Sequence, residues 1–344
     1  MSKPPVEIPL GAMRFNSDSQ KLEYFNGEIW MQIHTVPNSP IAARGFFQGG
    51  AISTSGGNHI EYVTIATTGD AVDFGDLPTA ETGGGAAGAS FTRAVHGGGA
   101  LTSAPWAPKN HISSWIMATA GNGVDWGDLT RDSYRIGAGN AGDNTRVCFV
   151  GGINPGKVDT IDYVTIESSG GAIDFGNLGA TWELAAVGSN ATRALCGGGN
   201  RTPASNVDTI EYITIQSTGN AVDYGNLTVG RSSCAGLSNS TRFFVGGGLI
   251  SPTYSNTIDY VTTASLGNAT DWGDLTRVYS NLCGANSTVR GLFGGGYTSV
   301  PSAASLDIIS YIDLTSRGDA HNFGDLSGTT TNTRAVSNCH GGLG

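Results

Sequence analysis

The sequence predicts an all-β chain in which six four-stranded blades form a closed β-propeller behind a short N-terminal β segment. Three observations carry that prediction. A set of motifs recurs six times at nearly constant spacing, each recurrence holds four short β-rich stretches, and the final stretch of the chain aligns with the one that the first copy lacks. Self-similarity at such a period marks stacked repeat units, and four short strands per unit make up a propeller blade.

The first stretch of each copy is an arginine, an apolar pair and a run of glycines. It occurs as Arg44-Gly-Phe-Phe-Gln-Gly-Gly50 and Arg93-Ala-Val-His-Gly-Gly-Gly99, then at Arg146, Arg193, Arg242 and Arg290, with spacings of 49, 53, 47, 49 and 48 residues. The second reads Ile60-Glu-Tyr-Val-Thr-Ile65, Ile161-Asp-Tyr-Val-Thr-Ile166, Ile210-Glu-Tyr-Ile-Thr-Ile215 and Ile258-Asp-Tyr-Val-Thr262. Apolar side chains fall on both pleat faces, Ile161 and Tyr163 on one, Val164 and Ile166 on the other. A strand apolar on both faces must be covered on both, and blades stacked around an axis supply that cover.

The third stretch, Val72-Asp-Phe-Gly-Asp-Leu77 in the first copy, holds an aromatic in every copy: Phe74, Trp126, Phe175, Tyr224, Trp272 and Phe323. These are the expected inter-blade core. The Asp-aromatic-Gly-Asp wording superficially resembles a kinase or metal motif, but its presence in every copy argues for a structural turn. The fourth stretch is rich in glycine and serine, as suits strands crowded near an axis. Thr333-Arg-Ala-Val-Ser-Asn-Cys-His-Gly-Gly342 aligns with Thr276-Arg-Val-Tyr-Ser-Asn-Leu-Cys-Gly284. Residues Arg334 to His340 are therefore expected to pair into the blade that starts at Arg44, clasping the ring and removing two exposed sheet edges.

Composition agrees and narrows the function classes. Glycine is 53 of 344 residues, yet 39% of the chain is hydrophobic, enough for a core. Net charge is −10 with few lysines, so no basic patch exists for nucleic acid or anionic membrane. No apolar run reaches membrane-spanning length, so no membrane insertion is expected. The N-terminus carries no apolar signal-peptide stretch, so the sequons (Asn190-Ala-Thr192, Asn286-Ser-Thr288) are read as turn chemistry. The five cysteines are widely spaced with no CxxC, which reads as buried free thiols. No catalytic motif or repeated ligand spacing nominates an enzyme, a metal or a cofactor.

Residues 1–40 lie outside the repeat, which occupies 41–344. Met13-Arg-Phe15, Lys21-Leu-Glu-Tyr-Phe25 and Ile29-Trp-Met-Gln-Ile33 read as three short strands, with turns at Asn16-Ser-Asp18 and Asn26-Gly27. This segment either packs on the ring or docks to a partner. Within the repeat, successive loops alternate between two ends. The loop between the second and third stretches is nearly constant (Thr68-Gly-Asp70, Thr218-Gly-Asn220, Arg317-Gly-Asp319), whereas the loop after each glycine run varies freely. Trp106, Tyr254 and Tyr297 fall in the variable loops and are the candidate ligand-binding residues, able to stack on sugar rings or fill protein pockets. Unconstrained loops also drift, and Trp106 could simply cover a blade edge.

The order Gly246-Gly247, Tyr260, Trp272-Gly-Asp-Leu275, Arg277 resembles the kelch repeat, and the resemblance extends from Arg44 onward. It implies a kelch-like propeller and leaves function open. The wording Thr160-Ile-Asp-Tyr-Val-Thr-Ile166, the turns of the type Gly219-Asn-Ala221, the His340-Gly-Gly-Leu343 ending and the stretch Gly11 to Trp30 are similar to repeat proteins of tailed bacteriophages, cyanophages in particular. That resemblance implies a non-enzymatic virion protein (tail, fibre or adhesin) that binds a host-surface glycan or a protein through one face. Its partners would be other virion tail or capsid proteins, met through the N-terminal segment. The alternatives are a glycan-active propeller enzyme and a cytosolic kelch-type interaction scaffold.

Overall fold

The computed structural model describes residues 9, 11–16, 21–32, 43–52, 55–82, 84–101, 107–137 and 139–343. The chain divides into two compact units, Met1–Pro40 and Ile41–Gly344.

In the first unit the strands Met13–Asn16, Lys21–Phe25 and Trp30–Gln32 form one antiparallel sheet in that order. Asn26 makes the second turn, its Oδ1 accepting from the Glu28 and Ile29 amides. The register sets Met13 opposite Tyr24, Phe15 opposite Leu22 and Tyr24 opposite Met31. These five apolar side chains therefore share one face, and all five are exposed. Arg14, bonded to Glu23 at 2.8 Å, covers the Trp30 ring.

The second unit is all-β, many small antiparallel sheets with no α-helix among its described residues. The copy at Arg242 shows the plan: Ala235–Ser238, Arg242–Gly246, Thr257–Thr262 and Thr270–Asp274 pair in that order. The glycine- and serine-rich stretch thus precedes the glycine strand and pairs with it. Copies at Arg93 and Arg193 repeat this order. At Arg146 the first place is held by isolated bridging, Gly142 opposite Val147. At Arg44 it is filled by the strand Arg334–Ser337, with Arg334 opposite Gln48 and Ser337 opposite Gly45. The pairing expected of the C-terminal stretch is present, but the ladder stops at Ser337, short of His340.

Local chemistry explains the hairpin between the first two strands of a copy. Asn239 Oδ1 accepts from the amides of Thr241 and Arg242, and Asn190 and Asp143 do the same for Thr192–Arg193 and Thr145–Arg146. These are Asx turns, and they are why threonine-arginine recurs at that point. The glycosylation-like wording at Asn190 is such a turn.

The Asp-aromatic-Gly motif, expected to be a turn, lies instead inside a strand. Ile60 faces Gly75 while Glu61 faces Asp73, so Phe74 is the extra residue of a β-bulge, and the same shift recurs at Ile161/Asp162, Ile210/Glu211, Ile258/Asp259 and Ile309/Ser310. A bulge bends and re-aims one side chain. Here it turns the aromatic toward the following copy. Phe74 joins Ala87, Ala94 and Trp115 of the next copy in one cluster, Trp272 joins Ile312 and Leu314, and Phe323 joins Val63 and Ile65 of the first copy. Trp126 alone of the six is half-buried.

Neighbouring copies are also tied by backbone. The constant turn donates to the bulged strand of the preceding copy: Gly123 N to Asp76 O, Ala172 N to Asp128 O, Ala221 N to Asn177 O, Ala269 N to Asn226 O and Ala320 N to Asp274 O, at 2.7–2.8 Å. The turn at Ala71 donates to Asp325 O of the last copy at 2.8 Å. The repeat arginine adds a second tie. Arg193 stacks on its own Tyr212 (4.7 Å to the ring centroid) and donates to Thr263 O of the next copy, and Arg290 stacks on Tyr311 and donates to Ile65 O of the first.

Candidate functional site

The variable loops all leave from one end of the strands, because neighbours in each sheet are antiparallel. Their bases are pinned. Leu249 exchanges both backbone bonds with Ser232, and Tyr297 does so with Ser280, each partner lying in the segment that leads into the same copy. Between Leu249–Ile250 and Thr253–Tyr254 the loop folds into its own small hairpin. Two of the three candidate residues are thereby brought together. Tyr254 and Tyr297, from adjacent copies, meet edge to face with ring centroids 6.1 Å apart, and both are half-buried. Trp106 lies outside the described residues.

At the same end, near the return of the loop that contains Trp106, a polar knot is buried. Glu81 bonds His96 at 2.7 Å and Lys109 at 2.8 Å. Burial pulls the Glu81 carboxyl upward, but His96 and Lys109 outweigh it and hold the group below the usual carboxylate range. The carboxylate thus ties two side chains of the next copy to the strand that carries Glu81, one on each oxygen.

The acidic residues of the second stretch, silent in the sequence, have the same kind of task. Asp259 accepts from the Thr228 amide (3.0 Å) and hydroxyl, and is paired with Arg231 at 2.7 Å, both side chains fully buried. Asp162 grips Thr130, Glu211 grips the Gly179 amide, and Glu61 grips the Ser327 amide. Each of the donors Thr228, Thr130, Gly179 and Ser327 follows the third stretch of the preceding copy. Two copies carry serine at the acidic position: Ser113, where the residue that would donate is Pro78 with no amide hydrogen, and Ser310, which meets the Thr276 hydroxyl at 2.9 Å instead.

Where the four-residue strands meet, the space is occupied. At the variable-loop end Gly84, Arg135, Leu184, Ser233, Asn281 and Asn332 hold equivalent left-handed positions, φ 53–58°. Their backbones are linked head to tail, each amide from Arg135 onward donating to the preceding carbonyl at 2.8–3.1 Å. At the other end His340 Nε2 donates to Ala89 O at 2.8 Å, its Nδ1 accepts from Gly342, and the 3₁₀ turn Gly341–Leu343 is buried. Among the described residues no group of three or more His, Cys, Asp or Glu could hold a metal ion. The five cysteines are free and four are buried; burial pushes the Cys148 and Cys283 thiols up to about 12. Neither a protein-family model nor a curated protein matches this chain.

Proposed function

We propose that the six copies close into one kelch-like six-bladed ring, and that the ring is a non-enzymatic binding module of a tailed-phage virion. Three features support the ring. Hydrophobic clusters bridge each copy to the next and the last to the first. The turn-to-strand backbone bonds follow the same circuit, ending with Ala71 on Asp325. The strand Arg334–Ser337 completes the sheet of the first copy.

The observation that carries the binding reading is the Tyr254–Tyr297 pair at the variable-loop end. Aromatic rings supply flat apolar area at low entropic cost and suit either a sugar ring or a protein pocket. The buried carboxylates Glu61, Glu81, Asp162, Glu211 and Asp259 are committed to inter-copy bonds, which supports a module that binds without chemistry. The virion assignment is supported by the likeness of the repeat wording to tailed-phage proteins. The exposed apolar face of Met13, Phe15, Leu22, Tyr24 and Met31 supports docking of the N-terminal unit onto a virion tail or capsid protein.

Glycan-array and tail-protein binding, compared for the natural chain and for Trp106→Ala, Tyr254→Ala and Tyr297→Ala, tests the face. Loss of at least tenfold in affinity is expected for the two tyrosine variants. Binding by all three variants unchanged from that of the natural chain discards the face. Mass spectrometry of purified particles tests the location, and absence of the chain sinks the virion reading.

A further inference from the structure

Six copies of one backbone provide five internal references for every position. Three registered positions are bland in five copies and ionisable in the sixth. The residue opposite the repeat arginine is Thr64, Ile116, Thr165, Thr214 and Thr262, then Asp313. The residue opposite the tyrosine position is Val72, Val124, Ile173, Val222 and Thr270, then His321. The residue before the turn glycine is Thr68, Ala120, Ser169, Thr218 and Leu266, then Arg317. The fold is built five times without these charges, so it does not require them.

All three line one open groove of about 460 Å³, together with Arg290, Tyr311 and Asp319. That volume is in the range of small-ligand sites. The corresponding groove of copy 2, walled by Ile116 and Val124, is about 190 Å³. The polar groups are held in place. Arg317 Nη2 donates to Tyr260 OH at 2.7 Å, Arg290 lies over the Tyr311 ring at 4.6 Å, and Asp319 Oδ1 accepts from the Asp274 amide at 3.0 Å. Bonds from Thr315 hold the Asp313 carboxyl below its ordinary range, so it is ionised at neutral pH. Two guanidinium groups and two carboxylates balance. An anion would face both carboxylates and a cation both guanidinium groups. A neutral ligand rich in hydroxyls, which donate and accept together, satisfies both kinds of group.

We propose that this groove, walled by Arg290, Asp313, Arg317 and His321, binds a neutral saccharide unit. It lies at the constant-turn end of the strands, opposite the variable loops, and does not depend on the Tyr254–Tyr297 reading.

The test is ligand-observed NMR titration of the full chain with methyl glycosides of glucose, galactose, mannose and N-acetylglucosamine, with inorganic phosphate and choline as charged probes. The variant is Asp313→Thr/Arg317→Thr/His321→Val, which restores residues that other copies carry. Binding of at least one glycoside is expected, weakened tenfold or more in the variant at an unchanged melting temperature. Tyr254→Ala/Tyr297→Ala should leave it intact. If the triple variant melts lower, Arg317→Thr alone must show weakened binding at natural stability. The proposal is overturned if no glycoside binds, if phosphate or choline binds more tightly, or if the reverted groove keeps its affinity. Loss confined to the tyrosine variant assigns the sugar to the other end.

Discussion

At the scale of single residues, His340 is the most exacting placement in the chain. Its ring nitrogens are both committed, one donating to Ala89 and one accepting from Gly342, so only the neutral imidazole fits. Burial holds its pKa down at about 4, against the opposing pull of the Ala89 carbonyl and of Asp143. The ordinary value is 6.5, so the unfolded chain takes up this proton first. The stabilisation is complete above about pH 6.5 and is lost as pH falls toward 4, up to roughly 3 kcal/mol in all. His340→Gln, which keeps a donor for Ala89 but cannot titrate, should flatten that part of the stability–pH curve. Denaturation measured at half-unit steps from pH 7 to 4 checks it, and parallel curves for the two proteins would refute the assignment.

At the scale of elements, the bulged strand and the turn of the next copy form one joint. A Cβ on Gly75 would run into the Gly121 carbonyl oxygen, and Gly75 has φ +154°, whereas a Cβ on Gly121 would meet nothing within 4 Å. Gly75→Ala should therefore cost about 2–3 kcal/mol, and Gly121→Ala within about 0.5 kcal/mol. Chemical denaturation of both reports the difference, and equal costs would mean that the joint is loose. The joint also explains what could be read from sequence. Arginine, aromatic and glycine recur because each touches a neighbouring copy, and tyrosine because it carries the arginine of its own copy, so the copy number and the pairing of Arg334–Ser337 were legible. The bulge was not, since a one-residue register shift leaves the same letters in the same order. The acidic clamps were missed because a strand carboxylate reads as solvated surface until its partner, often 30 or more residues away, is known. The Tyr254–Tyr297 contact depends on two loops whose sequences share no pattern, so only their exposure to one end was legible. The groove at Asp313 and Arg317 was hidden because departures from a repeat look like drift until they converge.

At the scale of the whole molecule, the last described residues finish the first sheet and then pack against Ala89, Gly142, Ser189 and Asn239 of other copies. Deleting residues 333–344 removes the inner neighbour of Arg44–Gln48 and the buried turn Gly341–Leu343 together. Stability spread over neighbour contacts would fall gradually with such a loss. A closed circuit should instead lose its cooperative thermal transition outright. Circular dichroism melting distinguishes the two, and a truncated chain that still melts sharply near the natural temperature would count against closure.

The same pairing sets a timetable for biosynthesis. Arg44 and Asn338 exchange a bond across 294 residues of sequence. At synthesis rates of about 5–20 residues per second, the first glycine strand waits roughly 15–60 s for its partner. Throughout that interval Phe46 and Phe47, both fully buried at the end, sit on an unpaired edge of the kind that recruits foreign strands. The copy made first is thus the one completed last, and the yield of folded protein should depend on how well that waiting edge is shielded while the ribosome is still at work.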